Sequence, residues 1–321
     1  MGERKGWDNA FTATDLRGPV RGSPSYAGAL SFMRRKYTRE LAGVDVAVTG
    51  IPLDLATSNR PGARFGPRAI RAATPGISWA RPWPWDFDPF DRLAVVDYGD
   101  CEFDYGEPAS IVPFIEKHIA GILESGAASL VLGGDHFVTY PVLKAYAAHH
   151  GPLALVHFDA HSDTWSEKTK RLDHGTMFYH AVKDGLVDDK HSAQIGLRTT
   201  NDEPLRFNIL DARWIHEYGP EAAARKVLGI VGDKKVYLTF DIDCLDPAYA
   251  PGTGTPVCGG LSTHQALEII RGLEGINIVG MDIMEVAPAY DVGEITALAG
   301  ASLAAEFLCL YASNRHRQEN A

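Results

Sequence analysis

Residues 154–163 read ALVHFDAHSD, and the change of character halfway along this stretch decides the fold. Its first half is mostly apolar on consecutive positions, as expected for a strand covered on both faces, the kind that builds parallel sheets. At Asp159 the apolar run stops, and Asp159, His161 and Asp163 follow at i, i+2 and i+4. In an extended segment these lie on one face; in a turn they can encircle an ion.

Three other segments share that layout: SLVLGGDHF (129–137), VYLTFDIDCLD (236–246) and NIVGMDIMEVAP (277–288). Short apolar runs predict strands at 44–48, 93–96, 129–132, 153–158, 236–240 and 277–281. Helical patterns lie between them at 108–124, 139–148, 221–229, 262–272 and 294–312, with Ser262 as N-cap of the fourth. Strand–helix alternation of this kind predicts a mostly parallel sheet with helices on both faces, a three-layer α/β sandwich in a single domain. We expect that domain to span 41–315, after an irregular segment at 1–40 and before a tail at 316–321. The stretch 81–92, rich in proline and tryptophan, reads as a long surface loop.

Bulk properties exclude several classes. A net charge of −10 without a basic stripe argues against nucleic-acid binding and mildly favours small cationic substrates. There is no continuous apolar run of membrane-spanning length and no signal-peptide pattern at the start, so the expected location is cytoplasmic. Cys101, Cys244, Cys258 and Cys309 are widely spaced and form no C-x-x-C pair, which predicts reduced thiols, mostly buried.

In open parallel sheets, ligands bind at the carboxyl ends of the strands. Residues far apart in sequence can therefore converge there: His136, Asp159, His161, Asp163, Asp241 and Asp243. His136 follows Gly133 and Gly134, whose missing side chains suit a tight turn. A single Asp or His at a strand end is ordinarily a cap or a turn residue. Asp246, before Pro247, reads that way, and Asp135 and Cys244 read as structural. Four carboxylates meeting at one sheet edge resist burial unless a cation sits among them. With a hydroxide they carry five negative charges; one divalent ion leaves three uncompensated, and two leave one, which a cationic substrate can balance. Carboxylates and two imidazoles suit Mn²⁺ or a similar ion, with Fe²⁺, Co²⁺ and Zn²⁺ open on chemistry alone. Such a centre lowers the pKa of bound water and hydrolyses an electrophilic carbon or phosphorus.

GGDHF, DAHSD, TFDIDCLDPAYAPGTGTP (239–256) and GMDIMEVAPAYD (280–291) together resemble the ureohydrolase (arginase/agmatinase) family. The likeness runs from GIPLDLATSNRPGARFGPRAIR (50–71) to the terminal helix. It implies two Mn²⁺ per subunit: one held by His136, Asp159, Asp163 and Asp241, the other by Asp159, His161, Asp241 and Asp243. It further implies that Glu285 accepts hydrogen bonds from a substrate guanidinium, that Asp163 lies beside the reacting carbon, and that His174 gives a proton to the leaving amine. A homo-oligomer, trimer or hexamer, is implied as well. The loop TWSEKTKRLDHGTMFY (164–179) departs from the arginase pattern that grips an α-carboxylate and is similar to agmatinases. The expected reaction is therefore hydrolysis of agmatine to putrescine and urea. Lys168, Lys170 and Arg171 in that loop leave guanidinobutyrase as the nearest alternative, although a solvated basic turn explains them more simply. A metallophosphoesterase would need G-D-x-x-D and G-N-H-D/E segments that are absent. A non-catalytic homologue should have lost a ligand, and none is lost.

Overall fold

The computed structural model describes residues 8–20, 24–79, 81–166, 171–202 and 205–319. Its strands, in chain order, are β1 (Val46–Ile51), β2 (Val95–Asp100), β3 (Ala128–Gly133), β4 (Ala154–Phe158), β5 (Ala193–Ile195), β6 (Asn208–Leu210), β7 (Lys235–Asp241) and β8 (Asn277–Met284). Each of the six apolar runs predicted as a strand forms one. β5 and β6 were not predicted; at three residues each they are too short to carry a period. Among the described residues all eight strands join one sheet, in the order β2-β1-β3-β8-β7-β4-β5-β6. Every pairing in it is parallel.

Period-two alternation sends strand side chains into two separate cores. Leu130, Leu132, Val156, Phe158, Leu238 and Phe240 face helices Pro220–Val231, Thr263–Arg271 and Ile295–Glu319. Their neighbours Val131, Leu155 and Tyr237 face helices Pro108–Glu124, Thr139–His150 and Met177–Lys183. The result is the expected three-layer α/β sandwich. Ser262 caps its helix as expected, in a reciprocal pair with Gln265. The 81–92 loop is irregular apart from one short helix, Pro89–Arg92.

The terminal helix extends to Glu319, beyond the predicted end at 312. By length and composition it could cross a membrane, but 78% of its most apolar window is buried inside the fold, with Leu303, Phe307 and Leu310 in the core. The glycines before His136 serve a purpose other than the expected turn. Neither has positive φ. A Cβ on Gly134 would sit 1.6 Å from the Leu53 carbonyl oxygen, and one on Gly133 would sit 1.7 Å from the Met284 sulfur. They allow close approach of neighbouring chain.

Candidate metal centre

The four strands that carry acidic or histidine ends, β3, β8, β7 and β4, are consecutive neighbours in the middle of the sheet. Their carboxyl ends deliver His136, Glu285, the Asp241–Asp243 pair and the Asp159–Asp163 row to one place. All six predicted ligands meet there. His136 Nδ1 lies 3.1 Å from Asp159 Oδ2, 3.1 Å from Asp163 Oδ2 and 3.2 Å from Asp241 Oδ2. A second group forms beside it, with His161 Nδ1 3.1 Å from Asp243 Oδ2 and 3.4 Å from Asp159 Oδ1. Asp159 belongs to both groups, offering one oxygen to each.

These residues fit a metal on geometry and on proton count. Donor separations of this size match the edge of about 3 Å between neighbouring ligands held about 2.1 Å from a divalent ion in octahedral geometry. His136 Nε2 lies 2.8 Å from Thr239 Oγ1, and Thr239 is in turn hydrogen-bonded to Asp282. With one ring proton donated to Thr239, Nδ1 faces three carboxylates and shares a cation with them: a metal ion, or in metal-free protein a second proton, whose affinity burial lowers but the carboxylates raise well above the ordinary range. Burial and the charge of Asp243 push the proton affinity of Asp241 well up, and burial and Asp159 push that of Asp163 up to about 7. Burial works the same way on Asp159, but His157, His136 and His161 outweigh it and hold that group well below the usual carboxylate range.

His157 is a functional residue the sequence reading passed over. Gln194 Nε2 donates to its Nδ1 at 3.1 Å, so its Nε2–H donates to Asp159 Oδ2 at 2.7 Å. It orients the shared carboxylate rather than ligating. Its signal was present: 157, 159, 161 and 163 form one alternating row. Arg198 was missed too. Its guanidinium donates to the carbonyls of Gly196, Asp243, Cys244, Leu245 and Val257, clamping the turn that carries Asp243. Arg198→Lys cannot reproduce that planar fork. It is expected to weaken metal affinity by about tenfold, read by competition with a chelator, and an unchanged affinity would remove Arg198 from the site's support.

Asp246 accepts from the N–H groups of Ala248, Gly259 and Gly260, the turn role predicted for it. Asp135 is structural as well, accepting from the Ala56 N–H at 2.8 Å. Among the cysteines, Cys258 is exposed and the other three are buried free thiols.

Above the donor groups lies a cavity of about 240 Å³ bordered by Asp163, Trp165, Arg171, Asp173, His174 and Ser58, among others. Glu285, at the end of β8, holds a left-handed backbone (φ 63°), as does Asp163 (φ 50°). Left-handed backbone at a buried acidic residue is sparsely populated and is held here by the surrounding structure. Glu285 Oε1 accepts from the His136 N–H at 3.0 Å and faces His174 Nδ1 at 2.9 Å, while Oε2 is buried with no hydrogen-bond partner.

Burial lowers the proton affinity of His174, but the bond to Glu285 outweighs it and raises the pKa to about 9. The folded value thus exceeds the ordinary one of about 6.5. The stabilisation from this pair is complete below about pH 6.5 and is lost as pH rises through about 9. In metal-free protein, the stability advantage of wild type over His174→Asn should shrink between about pH 6 and pH 10, measured by urea denaturation. A constant difference would contradict the pairing.

Lys168 and Lys170 fall outside the described residues. Arg171 lies at the cavity's mouth, its Nε 2.5 Å from Asp173 Oδ2.

Comparison with known proteins gives concordant matches. The model of the arginase family matches residues 44–310. An agmatinase from Chromobacterium violaceum is 59% identical over 288 residues, 89% of each chain. A crystal structure of a hypothetical agmatinase from Burkholderia thailandensis superposes with a TM-score of 0.95 at 57% identity, covering 97% of this chain and 99% of that one. Proclavaminate amidino hydrolase from Streptomyces clavuligerus superposes with a TM-score of 0.86 at 39% identity, covering 91% of this chain and 100% of its own.

Proposed function

Since this chain belongs to the arginase family and is a ureohydrolase, we propose that its substrate is agmatine, cleaved to putrescine and urea. The observation that carries the reading is the buried, unpartnered Oε2 of Glu285 beside a cluster of metal donors. A carboxylate oxygen left empty at such depth asks for a cationic donor, and a planar guanidinium meets a carboxylate with two parallel N–H bonds. Agmatine is favoured over carboxylate-bearing analogues by the high identity to agmatinases and by the pairing of Arg171 with Asp173, which already answers the one described loop cation facing the cavity.

His136, Asp159, Asp163 and Asp241 would hold one Mn²⁺, and Asp159, His161, Asp241 and Asp243 a second. When bound, the pair supplies a water of lowered pKa and an electrostatic field that favours charge developing at the guanidinium carbon. Glu285 orients that carbon over the cluster. Asp163 stands at the cavity floor beside it. His157 and Thr239 keep Asp159 and His136 in their ligating orientations. His174 Nδ1, next to Glu285, holds the proton that the departing amine takes.

Urea release from Mn²⁺-loaded protein, with agmatine, arginine and 4-guanidinobutyrate side by side, tests the reading. Agmatine is expected to exceed the other two by at least about a hundredfold in kcat/KM, because each carries a carboxylate that must be desolvated without a dedicated partner. Comparable turnover of arginine or guanidinobutyrate would overturn it.

A further inference from the structure

The imidazole of His174 has two faces, and only the one toward Glu285 is used by the reading above. The other nitrogen, Nε2, meets a single residue twice: the Ser58 backbone N–H lies 3.0 Å from it and the Ser58 hydroxyl oxygen 2.8 Å. We propose that Ser58 is a positioning and proton-relay residue for His174, connecting its buried ring to solvent; this rests on His174 being the donor to the leaving amine.

The two contacts do different work. A backbone N–H only donates, so its place at Nε2 favours a lone pair there and puts the ring's proton on Nδ1, the nitrogen that faces Glu285 and the cavity. Below about pH 9 the ring also carries a proton on Nε2; in the neutral ring, the form on which the relay runs, the Ser58 N–H sets which tautomer remains. The hydroxyl can donate or accept, and Ser58 is exposed, whereas the His174 side chain is 11% exposed. Protons therefore reach Nε2 through that oxygen.

The transfer balances. As the carbon–nitrogen bond breaks, its electron pair stays on the amine nitrogen, which takes the Nδ1 proton. Nε2 takes the Ser58 hydroxyl proton, and that oxygen takes one from water at the cavity mouth. The net change is one solvent proton delivered to the amine, with the ring left as its Nε2–H tautomer. That form opposes the Ser58 N–H. Nε2 returns its proton to the Ser58 oxygen, which releases its own hydroxyl proton to solvent, as Nδ1 takes one from water entering behind the product, and the neutral Nδ1–H form is restored.

The segment carrying Ser58 is fastened so that this geometry holds. The Asp135 N–H donates to the Leu53 carbonyl at 2.7 Å, and Asp135 Oδ2 accepts from the Ala56 N–H at 2.8 Å. Asp54 accepts from the Gly62 N–H at 2.8 Å. Asn59 Nδ2 donates to the Gly254 carbonyl at 3.2 Å. These ties bracket Ser58 on both sides.

Two measurements test it. In Mn²⁺-loaded protein acting on agmatine, Ser58→Ala should lower kcat by about 10- to 100-fold with KM within about twofold, and Ser58→Thr should restore most of the rate. The double variant Ser58→Ala/His174→Asn should be no slower than His174→Asn alone, since the relay acts only through that ring. A Ser58→Ala rate within twofold of wild type, or losses that multiply in the double variant, would overturn the relay. Independently of turnover, ¹⁵N-histidine NMR of the wild-type protein loaded with diamagnetic Zn²⁺, at a pH where the ring is neutral, should place the His174 proton on Nδ1. A proton on Nε2 would overturn the positioning role. Wild type inactive toward agmatine would instead refute the substrate reading, leaving the tautomer measurement to judge Ser58.

Discussion

Glu285→Gln is expected to keep its metal and lose agmatine turnover by about a thousandfold. The carboxylate touches the donor cluster only through the His136 backbone N–H, so an amide of the same shape leaves the ligands in place. What it removes is charge at Oε2, the atom buried without a partner. A hydrogen bond to a charged group contributes about 1.5–3 kcal/mol, and losing a bidentate pair puts about 4 kcal/mol at stake. At about 1.4 kcal/mol per decade, that is close to three decades in kcat/KM. The amide also turns an N–H toward the guanidinium, so a loss larger than a thousandfold is in the expected direction. Urea release measured beside metal content by plasma emission decides it. A variant with normal metal and activity within tenfold of wild type would separate Glu285 from the chemistry.

Asp159→Ala is expected to empty the site. Asp159 is the carboxylate whose two oxygens serve both donor groups, and burial leaves no water to take its place. Metal retained after desalting should fall to near zero. The stabilisation conferred by metal, about 2.7 kcal/mol at a hundred times Kd, should vanish with it, so that a chelator no longer lowers the melting temperature. In metal-free protein the sign reverses at Asp241, which burial and Asp243 make reluctant to ionise. Metal-free Asp241→Asn is expected to be more stable than metal-free wild type although it binds metal poorly. Undiminished metal in Asp159→Ala would refute the shared-ligand arrangement.

The sequence disclosed the strands that carry ligands because their signal is local: a buried apolar run followed by acids at alternating positions. The parallel sheet and the convergence of its strand ends followed from those runs alone. The missing pieces depend on distance along the chain. Ser58 meets His174 across 116 residues, and Arg198 reaches carbonyls as many as 59 residues away, so no periodic pattern announces either. The short strands β5 and β6 gave no pattern for another reason: three residues are too few to show a period. His157 differs, for it lay in the same alternating row as its neighbours and was legible. Gly133 and Gly134 were found for the wrong reason, because an approach by Leu53 from another part of the chain cannot be seen in the dipeptide itself.

The strand order carries a consequence for how the protein comes to exist. β8 is the last of the described strands in chain order, yet it lies between β3 and β7, dividing the sheet at its centre. A nascent chain lacking residues 277–284 has two half-sheets, with His136 on one and the aspartates on the other. Ion capture in the first donor group therefore has to wait for this late keystone: the four aspartates already share the half-sheet in which β7 and β4 are neighbours, and the imidazole of His136 joins them only once β8 is in place.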